Sequence, residues 1–246
     1  MSYIHQKIFE KTIETAKELE VKDVRVGLGY TIVELDNNTA GLSYSFTKEL
    51  NITSCSVVDE AGSLTGKKAS YLIEKIFSYN LLDSSIALAV ANAIINSNIE
   101  SKDIDIVKFI KPTDKVVMIG YFGPLVEAIE AKTEKFVICE RSVRGKSLPD
   151  YAAYFELQDA DIAIITATSI INKTIDALLE LPRKARIVAI MGPSAPMDLE
   201  IFSAATHICG SKVRDIKLAK QIISEGGGTR KLKPALSKHC VFKEAL

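Results

Sequence analysis

The sequence predicts an α/β protein: an amino-terminal α+β module followed by a doubly wound, mainly parallel sheet. Three observations carry this reading. Up to about residue 105 the chain runs helix, alternating strands, then helices, the order of a small α+β unit. From residue 106 onward, short Val/Ile-rich runs alternate with helical segments, which marks strands buried on both faces of a parallel sheet. The 246 residues, 47% apolar and 25% charged, suffice for a full core in one large or two modest domains. The expected division is 1–105 and 106–246.

The elements follow in order. In residues 3–20, Ile4, Ile8, Ile13, Ala16 and Leu19 recur at helical spacing. Val24, Val26 and Leu28 then alternate, followed by Ile32, Val33 and Leu35, a turn at Asp36-Asn37-Asn38, and Leu42, Tyr44 and Phe46. This is an antiparallel meander with one buried face. LTGKKASYLIEKIF and SSIALAVANAIIN read as helices, with Ser84 and Ser85 suited to cap the second. Asn98–Asp114 is the connection. The strands of the second half are Val116–Ile119, Phe136–Cys139, Ile162–Thr166, Ile187–Met191 and His207–Cys209. Helices are expected at Leu125–Lys132, Tyr151–Leu157, Lys173–Leu181, Asp198–Ala204 and Val213–Ser224. Right-handed crossovers then wind the sheet on both sides.

Charge and cysteine usage narrow the function. Lys plus Arg and Asp plus Glu each total 31, so no global field draws in nucleic acid or an anionic membrane. The start lacks the basic and apolar regions of a signal peptide. The longest apolar run, Ser84–Ser97, is shorter than the ~18 residues of a membrane span. Cys55, Cys139, Cys209 and Cys240 are far apart and form no CxxC or CxH pair, so neither a disulfide framework nor a structural zinc site is expected. Cys139 and Cys209 read as small hydrophobes. The expected setting is cytoplasmic, with no nucleic-acid or membrane partner.

Candidate site residues gather at the ends of three strands. Gly120-Tyr121-Phe122-Gly123-Pro124 follows the first, where an open sheet of this kind binds ligands. Gly123 allows close backbone approach, and Pro124 suits the first turn of a helix whose amides can hold an anion. Glu140 ends the next strand, 20 residues after Gly120, where an acid can accept hydrogen bonds from ribose hydroxyls. The third glycine of a dinucleotide fingerprint is missing, and a turn that is merely structural stands as the alternative. Thr166, Thr168, Ser169 and Asn172 cluster after the third strand; helix capping accounts for one or two of them. Gly192, Pro193 and Ser194 follow the fourth. Similar chemistry on one sheet edge indicates a shared crevice for a small molecule.

These segments, GYFGPL, Glu140, TATSIINKTIDALL and GPSAPM, with GLGYTIVEL, AGLSYSF and SYNLLDSSIALAVANAI in the first half, resemble a family labelled "putative heavy-metal chelation". The resemblance covers nearly the whole chain. It implies an enolase amino-terminal-like domain, a Rossmann-like domain, and a site where the two meet. It further implies condensation or hydrolysis of a pterin-, flavin- or siderophore-like heterocycle, linked to heavy-metal chelation. The ligand-facing residues of that family match Gly120, Phe122, Gly123, Pro124, Glu140, Thr166, Thr168, Ser169, Asn172, Gly192, Pro193 and Ser194. In the first half, Tyr30, Thr31, Glu34, Tyr44, Asn80 and Asn92 fall in its motifs. Ala167 stands where family members often carry glycine.

The chemistry itself stays open. No nucleophile–base pair is evident among His5, His207, His239 and the cysteines. Glu34 and Tyr44 are the candidate catalytic groups, with surface placement weighed against Glu34. The basic run Arg141 to Lys146 either meets an acidic group of a ligand or is a solvated loop. Gly226-Gly227-Gly228-Thr229 lacks the frame of a phosphate loop and reads as a helix stop, ahead of a loose terminal tail. A divalent or heavy metal ion and a nucleotide-like ligand both remain candidates for the cofactor, and homo-oligomerisation is undecided. The alternatives to an enzyme acting on a heterocycle are a metal or metal-chelate binding protein without turnover and an S-adenosylmethionine-dependent methyltransferase.

Overall fold

The computed structural model of the chain describes residues 3–50, 57–101 and 104–243. The first half begins with α1 (Tyr3–Glu18), whose Ile4, Ile8 and Ala16 face the core. Strands β1 (Val21–Val26), β2 (Tyr30–Leu35) and β3 (Ala40–Tyr44) form an antiparallel sheet in that order. Then come α2 (Ala69–Ile73) and α3 (Leu81–Ile95). Asn80, and not Ser84 or Ser85, caps α3: its Oδ1 accepts from the amides of Leu82 and Asp83. The two serines lie a turn deeper and are fully buried, because α3 is apolar around its whole circumference and is enclosed on every side.

In the second half, β4 (Val116–Ile119) leads to α4 (Gly123–Glu130), β5 (Phe136–Glu140), the two-residue β6 (Leu148–Pro149) and α5 (Ala153–Glu156). Strand β7 (Ile162–Thr166), the short α6 (Thr168–Ile171), α7 (Ile175–Glu180) and β8 (Ile187–Met191) follow. The chain ends with β9 (His207–Val213), α8 (Ile216–Ser224), α9 (Thr229–Leu232) and β10 (Leu236–Phe242). The sheet order is β10-β9-β8-β7-β4-β5-β6, parallel except for the antiparallel β9–β10 pair. Strand order therefore reverses between β4 and β7, which opens a crevice at their carboxyl ends. The expected helix at Asp198–Ala204 is a series of turns. The tail expected to be loose is the strand β10.

Alternate residues of the large sheet serve two cores. Val116, Met118, Ile162, Ile164, Ile187 and Ala189 pack with Ile106, Val107, Ile110 and Ile129 of α4 on one face. Val117, Ile119, Ala163, Ile165, Val188 and Ile190 share the other with Ile4 and Ile8 of α1 and Leu88 and Val90 of α3. The first half thus serves as the second covering layer of the sheet. Gly41 on β3 permits its closest contact, since a Cβ there would stand 2.1 Å from the Ala89 carbonyl oxygen of α3. Asn92 of α3 donates to the Leu42 carbonyl (2.7 Å) beside it.

The small sheet is covered on both sides, contrary to the expectation of one solvated face. Every residue of β2 is buried. On its outer face Tyr30, Ile32 and Leu42 pack with Ala219 and Ile223 of α8 and with Leu232 and Ala235. A helix from the far end of the chain covers the meander, which alternation within a strand cannot reveal.

The cysteines also correct an expectation. Cys209 and Cys240 lie directly opposite each other on β9 and β10 and form a disulfide. Their separation of 31 residues encloses α8 and α9, so the pairing arises from strand register and leaves no short-range signature. Cys139 is buried on β5, and burial pushes its thiol up to about 11. Cys55 lies outside the described residues.

Candidate functional site

The crevice is a cleft of about 360 Å³ between the two halves. The large sheet supplies Ile119 and Gly120 from β4 and its turn, Cys139 and Glu140 from β5, Thr166 from β7, and Pro193 after β8. The first half supplies Tyr30, Tyr44, Phe46, Lys48 and Glu49. Its aromatic wall is continuous: Tyr44 meets Tyr30 edge-on at 6.0 Å and Phe46 at 5.0 Å between centroids. Such edge-to-face pairs fix the rings relative to one another, and of the three only Tyr44 is more than marginally exposed. Phe46 adopts φ +52, a left-handed conformation costly for a bulky residue and held here by near-complete burial.

Tyr44 is fixed from both halves. Its amide donates to Ser194 Oγ (2.9 Å), and its carbonyl accepts from Ser85 Oγ (2.8 Å). Burial, then the carboxylates of Glu49 and Glu140, push its phenol up, with Arg144 opposing them. Tyr44 is thus held as a neutral proton donor at the cleft wall. Tyr30 is buried deeper and shares a hydrogen bond with Thr229 Oγ1 (2.9 Å). The glycine run before Thr229 ends α8 and also delivers this residue to the cleft.

The loop after β7 carries paired hydroxyls. Thr166 Oγ1 and Thr168 Oγ1 are 3.0 Å apart, and Ser169 Oγ donates to the Thr166 carbonyl at 2.6 Å. Asn172 Oδ1 accepts from the Thr174 hydroxyl (2.7 Å). The loop is braced from behind. Lys173, at φ +66, reaches the Ile76 carbonyl (2.6 Å) and Ser84 Oγ (2.7 Å), and His5 of α1 bonds the Ile170 carbonyl (2.6 Å). Burial pulls Lys173 down to about 8 and His5 to about 4.

Of the residues singled out from the sequence, Gly120, Phe122, Glu140, Thr166, Thr168, Ser169, Asn172, Pro193 and Tyr44 line the cleft. Gly123, Pro124, Gly192 and Ser194 do not line it, and Gly123 and Pro124 are exposed to solvent. Gly120 has φ +89, and a Cβ would sit 2.9 Å from that of Thr166, so this glycine admits its neighbouring strand and not a ligand. Gly123 begins α4, and a Cβ there would meet only the Tyr121 ring at 3.5 Å. Gly192 is required by its φ of +123. Glu34 is absent from the cleft. It is buried in an ion cluster with Lys22 (2.9 Å) and Lys220 of α8 (2.5 Å). Burial raises its carboxyl and the two lysines outweigh that, for a net downward shift. It ties α8 to β2 and is removed from proton chemistry. Tyr121, Arg141, Ser142, Arg144, Asp150, Thr174, Leu178, Thr229 and the wall residues Tyr30, Phe46, Lys48 and Glu49 complete the lining. No spacing in the sequence brings this set together.

Two family models match the chain, over residues 9–95 and 103–242, and both carry the description "Putative heavy-metal chelation". The chain belongs to that family. It is 23% identical to an uncharacterised protein of Methanocaldococcus jannaschii over 98% of its own length and 97% of the relative's. A protein of unknown function from Pyrococcus horikoshii superposes with a TM-score of 0.85, covering 98% of this chain and all of that one, at 23% identity. A second, from Desulfitobacterium hafniense, gives 0.80 at 23% identity over 97% and 98%. At that identity the likeness speaks for the fold.

The described residues do not form a resident heavy-metal site. Among the described residues no three His, Cys, Asp or Glu side chains converge into a donor set. Cys209 and Cys240 are bonded to each other, and the Cys139 thiol is held protonated by burial. Among the described helices none is long and apolar enough to cross a membrane.

Proposed function

We propose that the cleft binds a small heteroaromatic molecule and that the protein is an enzyme acting on it by condensation or hydrolysis. The single observation behind this reading is the joint construction of the cleft. Four strand ends of one sheet supply hydroxyls and an acid, and the other half supplies three interlocked aromatic rings. Flat apolar walls with a few convergent polar groups are what a small-molecule site requires. The half-exposed ring of Tyr44 takes the plane of the ligand, backed by Tyr30 and Phe46. Glu140 accepts only a 3.3 Å bond from the Ser142 amide, which leaves acceptor capacity for ligand hydroxyls. Tyr44 donates a proton to a leaving oxygen, the step that condensation and hydrolysis share. Any metal in this chemistry would arrive on the ligand, since the described residues offer no converging donor set. The closed packing at Gly120 weighs against a dinucleotide-type turn and so against the methyltransferase alternative.

A thermal-shift screen of pterins, flavins, nucleosides and their metal complexes tests this reading. A ligand at a hundred times its Kd adds about 2.7 kcal/mol, or roughly 5–10 °C for a chain of this size. Glu140→Ala should lower the shift for ribose-bearing members and leave the unliganded melting temperature unchanged. Tyr44→Phe should keep binding and lose turnover. If no heteroaromatic compound shifts the wild type, or if Thr168→Phe, which fills the cleft, leaves the shifts intact, the cleft is not the site.

A further inference from the structure

We propose that the segment 141–147 is an anion-binding arm, in which Arg141 and Arg144 grip the phosphate of a phosphorylated heteroaromatic ligand. The inference rests on the cleft being the ligand site and adds the chemical class of what enters it. In open sheets of this type the helix after the first strand commonly holds such a group through its free amides. Here α4 is poorly equipped for that task. Pro124 in its first turn has no N–H, the Leu125 amide already donates to the Phe122 carbonyl (2.8 Å), and no side chain caps the helix. The loop after β7 is likewise committed: the Thr168 amide points to Thr166 Oγ1 (3.4 Å), and Ser169 Oγ is used on the Thr166 carbonyl. Recognition of an oxyanion falls to the cations.

Those cations are placed for it. The Arg141 guanidinium lies 5.6 Å from the Phe46 ring centre, and that of Arg144 lies 5.1 Å from Tyr121. Each ring supports a guanidinium by its face and leaves the N–H edge open for a forked contact. Among the described residues Arg144 has no carboxylate partner, and Arg141 only reaches Asp150 at 4.0 Å. The base of the arm is rigid. Ser147 is buried, accepts from the Arg144 amide and donates to the Arg144 carbonyl, both at 2.8 Å, and Leu148 then pairs with Cys139. Glu49, Glu140 and Asp150 equal Lys48, Arg141 and Arg144 in number, so selectivity depends on position and not on net charge. Two guanidiniums on one short arm match a dianionic phosphate better than a singly charged carboxylate.

Matched probes that differ only by the phosphate decide the matter: AMP against adenosine, and flavin mononucleotide against riboflavin, by calorimetric titration at low and moderate salt. At least one phosphorylated member should bind tenfold or more tightly than its partner, and the preference should shrink as salt rises. In the double variant Arg141→Gln/Arg144→Gln the preference should vanish while the unphosphorylated member binds as before. Both arginines are exposed, so the melting temperature of the variant should match the wild type and report an intact fold. Equal binding of both members of each pair, or a preference that survives in the double variant, overturns the arm and leaves the cleft standing. Binding of none of the four removes the cleft reading and the arm with it.

Discussion

Acidification should loosen the contact between α1 and the loop after β7, and His5 sets the size of the effect. His5 is 1% exposed, and burial, then the Lys173 charge, hold its imidazole at about 4, against 6.5 for a free histidine. The Ile170 hydrogen bond and the Asp176 charge oppose this and do not overcome it. Between pH 6.5 and 4 the unfolded chain binds a proton that the folded protein refuses. Stability is therefore full above pH 6.5 and falls as pH falls through this window. Linkage over the gap gives a loss of about 1 kcal/mol at pH 5.5 and about 3 kcal/mol at pH 4.5, a sizeable part of the 5–15 kcal/mol typical of a folded domain. Urea unfolding of the wild type and of His5→Gln at pH 7.0, 5.5 and 4.5 measures it. The variant keeps a donor for the Ile170 carbonyl and cannot titrate. Other groups, including His207, which burial also pulls down, act in both proteins and cancel in the difference. The wild type should lose about 3 kcal/mol more than the variant by pH 4.5. Parallel curves for the two proteins would refute the argument.

Two further outcomes concern packing and cross-linking. Cys240→Ser opens the 31-residue loop and should lower unfolding stability by about 4 kcal/mol; dithiothreitol should weaken the wild type equally and leave the variant unchanged. Gly41→Ala places a Cβ 2.1 Å from the Ala89 oxygen and 2.2 Å from the Ala93 amide, both helix backbone that has nowhere to retreat. A loss of about 3 kcal/mol or more is expected, read as a fall in melting temperature of roughly 6 °C or more, and a variant melting with the wild type would show that the α3–β3 contact is loose.

Much of the candidate site was legible because it is local. A strand, a small-residue turn and a helix are specified by neighbours in sequence, so Gly120, Phe122, Glu140, Thr166, Thr168, Ser169, Asn172 and Pro193 could be found by reading strand ends. The errors share one cause. Glu34 sits in a strand whose alternation says nothing about a lysine 186 residues away. Thr229 follows a glycine run whose local meaning is a helix stop, and only the packing of α8 on β2 brings it to Tyr30. For Arg141 and Arg144 the sequence leaves a ligand contact and a solvated loop both open, because the rings of Phe46 and Tyr121 beside them are not visible in the run itself.

By itself the amino-acid sequence determined the α/β class, the strands β4, β5, β7, β8 and β9 of the parallel sheet, and the strand ends that line the cleft, because hydrophobic periodicity and turn residues act over a few positions. Tertiary structure alone decided that α8 returns to cover the small sheet, that Cys209 meets Cys240, that Gly120 serves packing, and that aromatic rings from one half close a cleft begun by the other. Those outcomes depend on which buried surfaces find each other over long separations, and such pairings leave no trace in the local pattern of the chain.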